Sequence, residues 1–228
     1  MNYQIDAPGS AIRTTVKLPA SKSISNRALI LNALSYSAYD VENLSDCDDT
    51  NLMVKALNSN DRDFNVGAAG TTMRFHTAFL SKVVGEWTIT GTERMKNRPI
   101  KVLVDALNAL GARIEYMEKE GYPPLRIFGS ALQGGEISLP GNVSSQYISA
   151  ILMIAPLTES GVTLHLEGAI ISRPYIHITL QLMEQYGVRA SWTENTIKVL
   201  PQEYKPIRFT VESDWSAASY WYEIMAVS

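Results

Sequence analysis

The chain has 228 residues, a molecular mass of 25.2 kDa and a formal net charge of -3. Apolar residues make up 46% of it, which is enough for a packed core and excludes a disordered chain. The charge is small and mixed, which excludes a broad basic surface for nucleic acid or for an anionic membrane. No apolar run reaches the roughly 18 residues of a membrane span. We therefore expect a protein that binds neither nucleic acid nor membrane.

The few cysteines and histidines limit the chemistry further. Cys47 is the only cysteine, so neither an internal disulfide nor a cysteine zinc site is expected. It lies in an acidic loop that disfavours a thiolate, and we do not predict it to be a nucleophile. The histidines match no metal-ligand spacing and are interpreted as structural: His76, His165 and His177. The N-terminus has no basic segment followed by an apolar one, as a secretory signal would have, so a cytoplasmic location is expected.

Strand patterns alternate with helix patterns along the chain. The first set comprises a strand over residues 14–18, a helix after the capping residue Ser21, a strand over residues 39–44 and a helix over residues 48–57. The second set has a helix, a strand, a helix and a strand pair over residues 70–80, 87–90, 100–110, 113–116 and 125–128. The third repeats this order over residues 147–157, 162–166, 176–186, 188–192 and 196–200.

Two segments of the second and third sets are alike in detail. An Arg-Pro pair begins one helix of each set and a glycine ends it, as Arg98-Pro99 with Gly111 and Arg173-Pro174 with Gly187. We interpret the three sets as decayed copies of one strand–helix–strand–helix–strand–strand unit.

A further helix pattern follows Ser213-Asp214 over residues 215–226. The strand and the second helix that should come after it are missing. A first helix without the rest of its unit has nothing obvious to pack against. We therefore expect the chain to be a truncated piece, or one half, of a larger protein.

Polar and cationic residues gather where the predicted helices begin. Lys22, Ser23 and Arg27 lie on the first turns of an otherwise apolar helix, where free backbone N–H groups favour an anion. A phosphate or carboxylate site is one interpretation of this segment. A serine cap beside a solvated lysine and arginine is the other.

Four more helix starts have a similar character, over residues 66–74, 94–99, 141–146 and 171–175, the last two of which are, taken alone, more typical of caps than of sites. Residues 66–74 form a glycine-rich turn that lacks a P-loop ending, so a tight turn with a threonine cap is the alternative to a ligand site. Arg94, Lys96 and Arg98 oppose the dipole of the following helix, which favours either an anion among them or a solvated basic loop. Equivalent helix starts of a repeat fold face one side. The polar and cationic helix starts together predict one surface that attracts anions.

Six motifs resemble those of the 5-enolpyruvylshikimate-3-phosphate synthase family. They are Ser21-Lys-Ser-Ile-Ser-Asn-Arg27, Ala69-Gly-Thr-Thr-Met-Arg74, Arg94-Met-Lys-Asn-Arg-Pro-Ile100, Val143-Ser-Ser-Gln146, Ser172-Arg-Pro-Tyr-Ile176 and Val211-Glu-Ser-Asp214. They occur in the order of the family and span nearly the whole chain.

The resemblance implies an α/β fold in which three βαβαββ units form one domain of an inside-out α/β barrel. Residues 19–211 would be the domain that binds shikimate 3-phosphate. Residues 1–18 would supply the first strand of the other domain, and residues 212–228 the crossover and its first helix. The missing C-terminal domain and the two substrates would be the partners, and the full-length enzyme would be a monomer.

The resemblance also implies the reaction. The enolpyruvyl group of phosphoenolpyruvate would be transferred to the 5-hydroxyl of shikimate 3-phosphate, in aromatic amino acid biosynthesis, with release of phosphate and without metal or other cofactor. Lys22 would be catalytic. Shikimate 3-phosphate would be held by Lys22, Ser23, Arg27, Ser144, Ser145, Gln146, Ser172 and Tyr175. Phosphoenolpyruvate would be met by Lys22, Gly70, Thr71, Arg94 and Gln146.

Three residues depart from the family pattern. Ala68 stands where Asn is common, which removes a contact available to phosphoenolpyruvate, while His177 replaces a usual Asp and Trp215 a small residue. The acid/base carboxylates of the family lie in its second half, so this chain is expected to be inactive alone and to bind shikimate 3-phosphate weakly. Two other functions stay open: a non-catalytic repeat module for an anionic partner, and an enolpyruvyl transferase with another acceptor.

Overall fold

The structure is a computed structural model that describes residue 4 and residues 13–227. Its helices are α1 Lys22–Leu34, α2 Asp48–Leu57, α3 Gly70–Lys82, α4 Glu93–Lys96, α5 Lys101–Ala109, α6 Ser145–Ile154, α7 Arg173–Gln185 and α8 Trp215–Val227. Its strands are β1 Val41–Glu42, β2 Asp63–Asn65, β3 Gly85–Thr90, β4 Arg113–Tyr116, β5 Leu125–Gly129, β6 Gly135–Pro140, β7 Val162–Glu167, β8 Ala190–Thr193, β9 Thr196–Val199 and β10 Phe209–Thr210. Every helix predicted from the sequence is present.

The second and third units have the same sheet topology. Their strand orders are β2-β3-β5-β4 and β6-β7-β9-β8. In each, the first two strands are parallel and the last two form an antiparallel hairpin. Gly111 and Gly187 end α5 and α7 with φ of 98° and 89°, a left-handed conformation that favours glycine. The predicted repeat is confirmed for these two units.

The first unit is smaller than predicted. Within the described residues its sheet contains only β1 and β10, paired in parallel, and no hairpin follows α2. The prediction of a strand over residues 14–18 is wrong: the segment is irregular and mostly exposed, because the described part of the chain offers it no strand to pair with. Residues 1–3, 5–12 and 228, which belong to the predicted terminal segments, lie outside the described residues.

The helices that begin the three units form the centre of the fold. α1, α3 and α6 pack against one another, and α7 packs against both α1 and α6. α6 buries nine of its ten residues, since apolar side chains occupy nearly its whole circumference. Strands β6 and β7 alternate buried and less buried residues, so one face of the sheet covers the core. Helices inside and sheets outside are the predicted arrangement of the α/β fold.

Helix α8 has little to pack against within the described residues. The Asp214 carboxylate accepts hydrogen bonds from the backbone N–H groups of Ser216 and Ala217 at 2.7 and 3.1 Å, which caps the helix. Ala218 is its only buried residue, while Trp215 and Tyr222 are exposed. The predicted capped helix is confirmed. No helix in the described part of the chain is long and apolar enough to cross a membrane.

Candidate anion-binding site

The site begins at the first turn of α1. The Ser21 hydroxyl accepts from the backbone N–H of Ile24 at 3.5 Å, and this cap directly precedes Lys22, the first residue of α1. The Lys22 ammonium donates to Asp49 Oδ2 at 3.1 Å, across to the first turn of α2. Asp49 therefore serves as the counter-ion of the predicted catalytic lysine.

Two further hydrogen bonds bring the other helix starts to the same place. The Thr72 hydroxyl on α3 donates to the Asp49 carbonyl at 2.8 Å. The Gln146 amide on α6 donates to Thr71 Oγ1 at 3.0 Å. The starts of α1, α2, α3 and α6 thus adjoin one another, which confirms that these predicted polar segments converge.

Two guanidinium groups cover Gly70 at the start of α3. Arg74 Nη1 donates to the Gly70 carbonyl at 2.7 Å. A β-carbon at residue 70 would overlap Arg98 Nη1 and lie 2.7 Å from Arg74 Nη1, so only glycine allows both groups to approach this closely. No side chain caps α3, which leaves the N–H groups of its first turn oriented toward the same region.

Arg98 is a site residue that the sequence did not single out from its basic loop. Partial burial lowers the pKa of Arg98, as do the positive charges of Arg74 and Arg94, while Asp49 opposes the shift. Predicted Arg94 is exposed and belongs to this charged group. Lys96 is directed elsewhere, because it pairs with Glu118 at 3.0 Å.

Arg27 is buried, with 2% of its surface exposed. It donates to Thr179 Oγ1 at 2.7 Å, to the Ser23 carbonyl at 2.9 Å and to Ser149 Oγ at 3.0 Å. Burial lowers the pKa of Arg27 to about 10, so the group stays charged at neutral pH. The structure gives it a role in joining α1, α6 and α7, while its predicted contact to shikimate 3-phosphate stays a prediction.

The remaining predicted residues lie at the starts of α6 and α7. Ser144 caps α6 by accepting from the Gln146 N–H at 3.3 Å, and Ser145 is buried behind it. Tyr175 is partly exposed, and its ring centre lies 6.0 Å from the Arg27 guanidinium carbon. Ser172 precedes α7 and does not cap it through its side chain. The α7 start therefore meets the site through Arg27.

The expectation that the acidic loop disfavours a thiolate at Cys47 is wrong, while the prediction that Cys47 is not a nucleophile stays a prediction. Burial raises the pKa of its thiol, but hydrogen bonds with Ser45 and Thr50 and the charge of Lys22 outweigh this and lower the pKa overall. The acidic residues that follow in the sequence do not decide the balance, because the nearest groups in space are hydroxyls and an ammonium. Among residues 13–227, no three Asp, Glu, His or Cys side chains are grouped as metal ligands would be.

Comparisons with known proteins relate this geometry to a family. Residues 7–60 and 58–228 match the family model described as EPSP synthase (3-phosphoshikimate 1-carboxyvinyltransferase). The 3-phosphoshikimate 1-carboxyvinyltransferase of Bacteroides fragilis strain YCH46 is 60% identical over 229 residues, which cover 100% of this chain and 56% of that protein. The protein of the same name from Vibrio campbellii is 42% identical over 249 residues, covering 96% of this chain and 58% of that protein.

A solved structure shows the same fold. The EPSP synthase from Acinetobacter baumannii matches with a TM-score of 0.80 at 21% identity, over 90% of this chain and 52% of that chain. The chain thus spans about half the length of the relatives it matches. Because the family model matches nearly all of its residues, the chain belongs to the EPSP synthase family.

Proposed function

We propose that this chain is the shikimate-3-phosphate-binding half of an enzyme that transfers the enolpyruvyl group of phosphoenolpyruvate to the 5-hydroxyl of shikimate 3-phosphate. The observation that supports this is the contact between the starts of α1, α3 and α6. Lys22, Thr71 and Gln146 lie there on three separate family motifs, joined to their neighbours by the hydrogen bonds of Lys22 to Asp49 and of Gln146 to Thr71. Residues 19–211 form the binding domain in this proposal.

The predicted ligand residues keep their roles in the proposal. Those for shikimate 3-phosphate are Lys22, Ser23, Arg27, Ser144, Ser145, Gln146, Ser172 and Tyr175. Those for phosphoenolpyruvate are Lys22, Gly70, Thr71, Arg94 and Gln146. Hydroxyl and amide groups suit a polyhydroxylated ligand, while cations beside an uncapped helix start suit its phosphate and carboxylate.

The chemistry requires three proton transfers and a leaving phosphate. The 5-oxygen forms a bond to the enol carbon as its own proton leaves, and the terminal carbon gains a proton. Loss of phosphate and of a proton from that terminal carbon then restores the double bond. In this proposal fixed cations stabilise charge on the phosphate, and Lys22 is one of them. The acid/base carboxylates would come from the second domain.

The exposed residues of α8 support the existence of that domain. Trp215, Tyr220 and Met225 have 71%, 68% and 72% of their surface exposed, which is unusual for large apolar side chains grouped on one helix. We propose that residues 212–228 pack on the second domain. We also propose a cytoplasmic location and a monomeric full-length enzyme.

The test joins this chain to the part of the Bacteroides fragilis enzyme that it does not cover. We expect phosphate release from phosphoenolpyruvate with shikimate 3-phosphate by the joined protein, none by the chain alone, and none by the joined Lys22→Ala variant. Calorimetric titration of the chain alone should show weak binding of shikimate 3-phosphate.

Other outcomes separate the other functions. A joined protein that binds shikimate 3-phosphate without releasing phosphate would indicate a binding module. Phosphate release that requires a different hydroxyl compound would indicate another acceptor.

A further inference from the structure

Two arginines, Arg74 and Arg98, meet at the start of α3, and the charge of Arg94 acts on Arg98. Within the described residues, no carboxylate lies within 4.0 Å of the guanidinium groups of Arg74, Arg94 or Arg98. Arg74 is 6% exposed, and its buried Nε has no hydrogen-bond partner. Asp49, the nearest acid that acts on Arg98, already pairs with Lys22. The group therefore carries a net positive charge that its neighbours do not balance.

Packing places the Arg98 guanidinium there in the absence of an ion pair. The Tyr147 hydroxyl donates to the Pro99 carbonyl at 2.6 Å, and the Arg98 N–H donates to the Met95 carbonyl at 2.9 Å. These two bonds hold the backbone on both sides of Arg98. Since Gly70 has no side chain, the guanidinium lies directly over the first residue of α3.

Such an arrangement is unfavourable in the free protein and favourable around an anion. Like charges held close together repel one another, and the uncapped start of α3 adds a further positive potential. An oxyanion at this point would receive charge-assisted hydrogen bonds from planar donor groups, which are among the strongest that side chains make. Phosphoenolpyruvate carries two such groups, a phosphate and a carboxylate.

We propose that Arg98 binds an oxyanion of phosphoenolpyruvate together with Arg94 and the first turn of α3. This inference rests on the proposed function for the identity of the ligand. It adds Arg98 to the predicted ligand set: the sequence left this residue between an anion site and a solvated basic loop, and the contact with Gly70, which exists only in the folded chain, favours the anion site. Arg74, buried behind Gly70, supports the site through the Gly70 carbonyl.

The experiment measures anion binding and stability together in the 228-residue chain. Thermal unfolding of the unmodified chain, Arg98→Ala, Arg98→Lys and the control Arg113→Ala is followed in the presence of increasing phosphoenolpyruvate or inorganic phosphate. Arg113 lies on β4 and pairs with Glu115, so its removal changes the net charge equally at a distance from the site.

We expect Arg98→Ala to weaken phosphoenolpyruvate binding at least about tenfold. The Tm of the ligand-free variant should not fall, because a repulsive charge has been removed. Arg98→Lys should lie between, since it keeps the charge and loses the planar donor pair. Arg113→Ala should bind as the unmodified chain does.

Two results would overturn the inference. One is an Arg98→Ala chain with a lower ligand-free Tm and unchanged affinity, which is the behaviour of a purely structural arginine. The other is an unmodified chain that binds neither anion. Phosphate release by the joined protein decides the proposed function separately. If the joined protein releases phosphate and Arg98→Ala leaves its KM for phosphoenolpyruvate unchanged, only the role of Arg98 is rejected. If Arg98→Ala loses anion binding but the joined protein releases no phosphate, only the proposed reaction is rejected.

Discussion

The first unit and the two complete units all pack helices into a core beneath a sheet, but the sheets differ in size. The second and third units each place a four-stranded sheet over the common core, while the first has two short strands over the small cluster of Ala28, Val41 and Val211. Yet α1 still reaches the main core through Ile30 and Leu31, although it buries seven of its 13 residues against 11 of 13 in α3. The difference teaches that the helices position the site, because α1 reaches the core and Lys22 reaches Asp49 in a unit that has no hairpin in the described part of the chain.

The largest predicted effect compares buried side chains on matching strands. Leu164 on β7 is fully buried, and Leu164→Ala should lower the free energy of unfolding by about 3 kcal/mol. Val41 on β1 lies in the small cluster, and Val41→Ala should cost about 1 kcal/mol. Equilibrium denaturation with urea measures both. Equal losses would mean that the first unit is as tightly integrated as the third.

Acid should weaken the second unit more than the first. Burial lowers the pKa of His76 on α3 to about 4, from a usual value of 6.5. The unfolded chain therefore binds a proton more readily, and stability should fall as the pH drops from 6.5 towards 4, by up to about 3 kcal/mol. His76→Phe, which retains an aromatic ring between Phe64 and Phe79, should flatten this pH dependence.

The control for that change is His177→Gln, which removes an exposed histidine from α7. Urea denaturation at several pH values between 4 and 7 compares the three proteins. If His76→Phe loses stability with acid as steeply as the unmodified chain, another group is responsible. Amide exchange should show α3 loosening before α1, because residues 19–60 contain no histidine.

The smallest predicted effect is a change in phosphate affinity, and it compares the charged residues that the first and second units place in the site. The first unit contributes a paired cation, Lys22 with Asp49, and the second contributes unpaired arginines. Asp49→Asn should free Lys22 and remove a negative charge that competes with the ligand. We expect phosphate affinity to rise between about 1.5- and 5-fold, the range of a partly exposed pair. Calorimetric titration measures this, and weaker binding would show instead that Asp49 orients Lys22 for the ligand.

Local patterns predicted the helices well because the residues that begin and end them are neighbours in sequence. Ser21 and Gly111 act within one turn of the helix that they limit. Strands β2 and β6 were missed for the opposite reason. β2 has one buried residue in three, and β6 begins at the second of two glycines and ends at a proline, so their pairing with β3 and β7 decides their structure.

Site residues at equivalent positions of the repeated units could be predicted from the sequence. Contacts between residues far apart in the sequence could not. Thr71 and Gln146 meet because each lies at the start of its unit's first helix. The burial of Arg27 depends on Ser149 and Thr179, 122 and 152 positions away. Asp49 lies in the first turn of α2, where the helix dipole favours an acid, and only the fold shows that it faces Lys22.

The parallel pairing of β1 with β10 has a consequence for how the chain acquires its structure. Val41 aligns with Phe209, and Asn43 donates to the Val211 carbonyl across 168 positions of sequence. During synthesis β1 cannot pair until β10 has been made, and β10 follows both later units in the sequence. Contacts of such separation close slowly. The strands of the second and third units pair within short stretches of sequence. These units should therefore become protected from amide exchange first, and the first unit, which is synthesised first, should become protected last.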